Sequence, residues 1–297
     1  MSGLRCFMRL GVGGCNFYVK HVRVFSNPFN HKFFTTKNKA NVSELSNHNT
    51  KTSTVFAVFR DTGIDMETVN QAVNESPEIA TFSPKQLEKC VSELVHNGFT
   101  GIDCLRMVAL YPPLVKLKQG HISLAIDCWR STQLGDSRVL SLLRNCPHFI
   151  CIDLSEIPRR IPLLKSLSSQ RNVANLLKSV PNLMFEQWDD ILAKVNYLEN
   201  VMKIERKHIL NTYALNRSLI FIKTRHIFLE RSGLYTYPKP KADPNQPSKN
   251  PVLSSITDTN DEYFVKNIAK LTMEEYEVFQ ELYVKELEEE ESDSDIE

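Results

Sequence analysis

The chain has 297 residues, 42% of them hydrophobic, and 36 Lys/Arg against 35 Asp/Glu leave a formal net charge of +1. That apolar content supports a substantial core, and no apolar run approaches the roughly 20 residues of a membrane-spanning helix. The seven cysteines form no C-x-x-C pair, which excludes the common zinc and thioredoxin-type modules and points to small core residues in a reducing compartment.

The near-zero net charge hides an asymmetry. Residues 1–53 carry eight Lys/Arg against one acid, Glu44; residues 77–237 carry 21 basic against 14 acidic; residues 238–297 carry six basic against 16 acidic. A basic centre followed by an acidic tail suggests an anionic partner for the former and solvation for the latter.

The first stretch, "MSGLRCFMRLGVGGCNFYVKHVRVFSNPFNHKFFTTKNK", is basic, rich in Ser, Thr and Asn and nearly free of acids. That is the composition of a mitochondrial transit peptide, so residues 1–53 read as a disordered targeting segment addressed to the matrix. Gly11, Gly13 and Gly14 are not a phosphate loop, because no strand precedes them and no Lys-Ser/Thr follows.

From residue 54 a repeat sets in. "NESPEIAT", "ALYPPLVK", "RNCPHFIC" and "KSVPNLMF" place Pro77, Pro112, Pro147 and Pro181 at intervals of 35, 35 and 34 residues, and "LNRSLIFI" continues the frame 36 residues on with Arg217. Two residues after each anchor stands Ile79, Leu114, Phe149, Leu183 or Leu219; four before stands Val73, Val108, Leu143, Leu177 or Tyr213. Fourteen before lie Gly63, Gly98, Gln133, Leu167 and Lys203, followed by Ile64, Phe99, Leu134, Ser168 and Ile204. Matched apolar columns at a period near 35 are the signature of a helical-repeat array. Each proline ends a helix by expelling its predecessor from the α region, and the apolar residue behind it tucks the turn between neighbouring units. Arg217, at a proline position, would on this frame tolerate proline. In "PKQLEKCVSELVHNG", Leu87, Val91, Leu94 and Val95 share a face, Ser83 and Gln86 form a capping box, Pro84 opens the helix and Gly98 closes it. Each unit thus reads as helix, turn, helix, proline-led turn, and 54–237 as a curved all-α solenoid. Cys90, Cys104 and Cys128 fall in apolar helical stretches; Cys146, His148 and Cys151 lack zinc-site spacing, so no metal or cofactor is expected.

After Tyr237 the register changes. "PKPKADPNQPSKNP" holds five prolines, so 238–253 reads as an extended linker. Two helices follow within 254–287, the second capped by Thr272 with Glu275. Tyr263, Phe264, Tyr276, Phe279 and Tyr283 exceed what a lone helix pair buries; solenoid packing takes one face and a protein partner the rest. "EEEESDSDIE", 288–297, reads as a disordered acidic tail.

With its proline-led turns and transit-like leader, the chain over 54–237 resembles the mitochondrial transcription termination factor (mTERF) family. "RHIFLERSGLY", the proline-rich stretch, "NPVLSSI", "DEYF" and "TMEEYEVFQELYVKE" narrow the resemblance to one branch, whose member partners a mitochondrial 5-methylcytosine rRNA methyltransferase of the Sun class. The resemblance implies a left-handed solenoid, work on the large mitochondrial ribosomal subunit, and a heterodimer in which the partner supplies the S-adenosylmethionine chemistry. Arg217, and Gln133, Leu167 and Lys203 in the glycine column, depart from the regular unit.

No phosphate loop, metal constellation or nucleophile–base pair is found, so the chain does not read as an enzyme. Two readings remain beside it, a protein-interaction solenoid and a nucleic-acid-binding one. Arg144 and Lys178 occupy one register, and Arg138, Arg171, Arg206 and Lys207 nearly another. Stacked units would align them into stripes that attract phosphate without base reading. Arg225, beside His226 in "KTRHIF", joins them as a nucleic-acid candidate. Mitochondrial rRNA is the expected ligand and double-stranded DNA, in transcription or its termination, the alternative. A pentatricopeptide array has a similar period, but the recurrent prolines argue against it.

Overall fold

The computed structural model describes residues 53–237 and 249–294. All but the last residue of the stretch read as a transit peptide, 1–53, and most of the proline-rich stretch lie outside the described residues. Within them the chain is helical with no strand.

After a helical segment at 53–59, the helices come in pairs: α1 (Met66–Glu75), α2 (Pro84–His96), α3 (Gly101–Leu110), α4 (His121–Ser131), α5 (Asp136–Asn145), α6 (Glu156–Leu167), α7 (Gln170–Ser179) and α8 (Trp188–Asn196). Then follow α9 (Arg206–Ile209), α10 (Leu219–Arg231), α11 (Leu253–Thr257), α12 (Asp261–Tyr263) and α13 (Met273–Ser294). Two layers result. The second helices α1, α3, α5 and α7 pack in succession, and so do the first helices α2, α4 and α6, with α8 packing on α10.

The prolines act as the sequence implies. Pro77, Pro112, Pro147 and Pro181 each open a short 3-10 turn, where a missing N–H costs nothing. Ile79, Leu114, Phe149 and Leu183 behind them are fully buried, as are Val73, Val108, Leu143 and Leu177 before them. The column fourteen residues ahead has a backbone meaning in four of its five members: Gly63, Gly98, Gln133 and Lys203 have positive φ, 79°, 98°, 60° and 57°, while Leu167 is the last residue of α6 and does not. The four are left-handed residues closing the helical run before them. The apolar residue that follows folds back, as when the Phe99 N–H donates to the Leu94 carbonyl at 3.2 Å. The caps at Ser83 and Thr272 form as read.

The fifth turn corrects the frame. It covers Ala214–Asn216 and so precedes Arg217 instead of following it. Tyr213 is consequently 46% exposed, and Leu219 opens α10 only half-buried. The Arg217 N–H donates to the Ala214 carbonyl and its Nε to the Thr257 carbonyl at 2.8 Å. A proline there would lose both.

The array also runs on past residue 237. Pro251 stands 34 residues after Arg217, and Leu253 two residues on is buried. A helix-borne donor marks the equivalence. Lys89 of α2 donates to the Leu117 carbonyl (2.9 Å), Trp129 of α4 to that of Phe149 (3.1 Å), Arg160 of α6 to that of Glu186 (2.8 Å) and Lys194 of α8 to that of Leu215 (3.0 Å). In each, a first helix ties down the turn closing its own unit. Arg225 of α10 does the same to the Ile256 carbonyl at 2.5 Å, so α11 is a sixth turn. Behind it a π-helical stretch, Phe264–Ala269, ends at Lys270 with φ 55°, then Leu271 and the Thr272 cap. That is the helix–left-handed residue–apolar–cap order of the units before it. Residues 249–253 are thus the start of a repeat turn, not linker. The last helix continues to Ser294, so the acidic run from Glu288 is helical where no fixed structure was expected; Glu has good helix propensity.

Candidate nucleic-acid interface

The second-helix layer turns its polar face outward, and its cations divide by what else they touch. Arg171, at the start of α7, is exposed and has no hydrogen bond or ion pair within the described residues. Arg138, in the first turn of α5, is exposed and donates only to the Leu134 carbonyl at 3.3 Å. Lys207 is exposed and meets Glu205 at 2.6 Å, a solvated neighbour pair that contributes little and exchanges readily. Arg106 on α3 is exposed and likewise unpaired; it falls six residues before its anchor, level with Ser141 and Asn175, and was missed because it lies outside the aligned registers.

Three predicted contacts are partly spent on the fold. Arg144 reaches back from α5 to α3, its Nε 2.7 Å from Asp103 Oδ1; the angle is off that of a hydrogen bond, leaving a charge contact across the seam. Lys178 likewise reaches from α7 to the Ser141 hydroxyl on α5 at 3.4 Å. Arg206 is held by Glu199 in a fork of 2.6 and 2.7 Å, which raises the guanidinium pKa and lowers that of the carboxyl. Of the six aligned cations, Arg144 and Lys178 thus double as contacts between units, and Arg206 is held within its own unit.

Arg225 is not part of it. Only 1% exposed, it lies between the Phe221 and Phe264 rings at 4.4 Å from each centroid. It bonds Thr259 Oγ1 at 3.1 Å and Asp261 Oδ1 at 2.6 Å. A buried cation needs partners, and its two terminal nitrogens find theirs in the last repeat, while Nε is left without one. It cannot meet a phosphate.

The aromatic set is corrected in the same way. Phe264 and Tyr276 are fully buried and Tyr283 nearly so. Phe264, Tyr276 and Phe279 pack on Phe228 of α10 with centroids 6.3, 4.9 and 5.1 Å away. Phe279 and Tyr283 stack at 5.6 Å beneath Arg231, which grips Glu286. Only Tyr263 stays open, at 52%. On α13 the large apolar residues Val278, Leu282 and Val284 face solvent, 53%, 52% and 48% exposed, and the first two lie one helical turn apart on one face.

Cys90, Cys104 and Cys146 are buried, and burial pushes their thiols up to about 12. No group of metal-ligating side chains converges among the described residues, and no helix there is long and apolar enough to cross a membrane. The mTERF family model matches residues 38–265. The chain is similar to Transcription termination factor 4, mitochondrial, of Mus musculus: 28% identical over 230 residues, 77% of this chain and 65% of the mouse protein. It is also similar to Transcription termination factor 3, mitochondrial, of Drosophila melanogaster: 21% identical over 269 residues, 76% of this chain and 74% of the fly protein. The chain spans just under two thirds of the mouse relative's length. With a match over most of its residues, proline-led turns included, this chain belongs to the mTERF family.

Proposed function

We propose that the protein is a mitochondrial nucleic-acid-binding array that grips phosphates along its second-helix layer, with rRNA as ligand, and that it carries a Sun-class rRNA methyltransferase to the large ribosomal subunit. The observation that supports binding is the set of outward cations Arg106, Arg138, Arg171 and Lys207 on successive units of one layer. Such a set neutralises a backbone without reading bases. The mitochondrial setting rests on the names of both relatives and on the leader's composition. The methyltransferase rests on the resemblance of the C-terminal stretches, with Val278, Leu282 and Val284 among the apolar side chains α13 leaves exposed for it.

Crosslinking the protein in mitochondria and sequencing the bound nucleic acid tests the ligand. Recovery of large-subunit rRNA is the expected result. Recovery of mitochondrial DNA would favour a regulator of transcription, which the relatives' names support, and recovery of neither would leave a protein-interaction solenoid. In vitro, reversing Arg138, Arg171 and Lys207 to Glu should flatten the dependence of log affinity on log salt by roughly 2 for single-stranded RNA, at about 0.7 per phosphate. An unchanged slope would reduce the stripe to a solvated face.

A further inference from the structure

The second-helix layer is interrupted at one place. The helix that should follow α7 is α9, only four residues long, and a groove of about 510 Å³ opens between them. That volume lies within the range of small-ligand sites. Its floor carries Leu176 and Leu210, and its walls Asn172, Asn175 and Asn211 with hydroxyls such as Ser179 and Thr212. Lys207 and Tyr213 stand at the α9 side, and no carboxylate lines it.

The three amides are the telling feature. None of their side chains hydrogen-bonds within the described residues. Other asparagines spend the amide on the chain, Asn145 donating to the Ser141 carbonyl (2.6 Å), Asn216 to that of Ser179 (3.1 Å) and Asn97 to that of Glu93 (2.8 Å). Asn70, Asn74, Asn182 and Asn196 do not, but they lie outside this groove, where three gather. Three unspent amides in one groove offer paired donors and acceptors, the chemistry that matches the polar edge of a base. Tyr213 adds a half-exposed ring, and Lys207 adds positive charge to the lining. A base offers that edge only when it is unpaired.

The groove is also tied to the last repeat. The Tyr213 N–H donates to Asp258 Oδ1 at 3.1 Å, and the Thr257 hydroxyl to the same oxygen at 2.7 Å. The sixth turn thereby fixes the backbone that carries the ring.

Resting on the nucleic-acid reading above, we propose that the groove between α7 and α9 is a subsite for one unpaired nucleotide of a bound single strand, and that Asp258 is its positioning residue. It sets a preference for single-stranded over duplex nucleic acid, which the phosphate stripe alone does not.

The test is fluorescence anisotropy on the full chain with fluorescein-labelled decamers of uridylate and adenylate and with a ten-base-pair RNA duplex. The triple variant Asn172→Ala, Asn175→Ala, Asn211→Ala should lose about tenfold in affinity for the better decamer, the scale of a few hydrogen bonds. Duplex affinity and salt slope should stay unchanged, since no cation is removed. Should that variant melt early, Asn175→Asp is the substitute; it keeps the size, places a repelling charge in the groove, and should weaken the single strand at least as much. Tyr213→Ala should cost several-fold through lost stacking. Asp258→Ala should cost about threefold and Asp258→Asn, which keeps the acceptor oxygen, should restore binding. Wild-type affinity in the amide variants overturns the subsite while leaving the phosphate stripe standing. Unaltered binding by Asp258→Ala, or no rescue by Asp258→Asn, overturns the positioning role. Failure of the unaltered protein to bind either probe overturns the nucleic-acid reading together with the subsite.

Discussion

Arg171 and Arg225 are the same residue type in helices of the same array, yet one faces water and the other is sealed between two rings. Nothing local separates them. Both follow a polar residue and precede another, and Arg225 is buried because Phe264, Asp261 and the Ile256 carbonyl come back onto it from more than 30 residues away. Long-range closure of this kind leaves no mark on residues 223–227, whereas the burial of Phe149 is legible from its repeat position. The consequence is testable. Arg225→Ala would leave a hole between two aromatic rings and unpair the half-exposed Asp261, so about 2–5 kcal/mol of stability should go, the scale of large-to-small core changes. Residues 249–294 should become the first site of limited proteolysis. A variant as resistant as the parent would place the load elsewhere. His148 supplies a second residue-level prediction. It sits among the rings of Tyr111, Phe149 and Phe185, and burial drops its pKa from 6.5 to about 4. Below pH 6.5 the unfolded chain takes up a proton that the folded one refuses. Stability is therefore full above about 6.5 and falls as pH drops towards 4. His226, whose pKa burial also lowers, acts in the same sense. Thermal melts between pH 7 and 4.5 should show this decline, and His148→Phe should make it shallower.

At the scale of the element, the 35-residue period revealed the turns because proline and its apolar follower must repeat wherever identical units stack. It misplaced the fifth turn because Arg217 was matched by spacing while the physical marker, a buried residue two positions behind an opening proline, was absent. The glycine column was visible but its meaning was not. A left-handed position favours glycine, and Gln133 and Lys203 occupy it against that preference. Gln133→Gly should accordingly leave stability level or raise it by up to about 1 kcal/mol, as relief of strain offsets the extra freedom of the unfolded chain. Gly98→Ala should lower it by about 1–2 kcal/mol, although the new methyl would meet only the Leu140 side chain, at 3.7 Å. Equal effects of the two substitutions in chemical denaturation would show that the column is not a shared cap. Phe149→Ala should cost about 3–5 kcal/mol, since its ring meets Trp129, His148 and Phe185 and its carbonyl receives the indole N–H.

For the whole molecule, the question is whether the C-terminal repeat is a detachable dock or part of the fold. Its aromatics were expected to face a partner. Instead Phe264, Tyr276 and Phe279 cover Phe228, and Arg225 and Arg231 bond across the same joint. Cutting the chain after residue 253 would expose Phe228 and leave a guanidinium in the core without its partners. Such a truncation should melt well below the parent or aggregate, and loss of a bound methyltransferase would then say nothing about where the enzyme sits. Val278 and Leu282 separate the two roles, because both are half-exposed on one face of α13 and contribute little to folding. Val278→Lys with Leu282→Lys should leave the melting temperature within a few degrees of the parent, the usual range for surface changes. If α13 is the dock, the pair should abolish co-purification of the methyltransferase, since charges placed at the centre of an apolar contact cannot be solvated. Removing residues 288–297 should leave both properties intact, since a run composed almost wholly of Asp, Glu and Ser has little apolar area to bury. Full-yield co-purification with the Val278/Leu282 pair changed would move the dock to α10 and the repeats before it, where the same exchange at exposed Val201 and Ile220 becomes the next measurement.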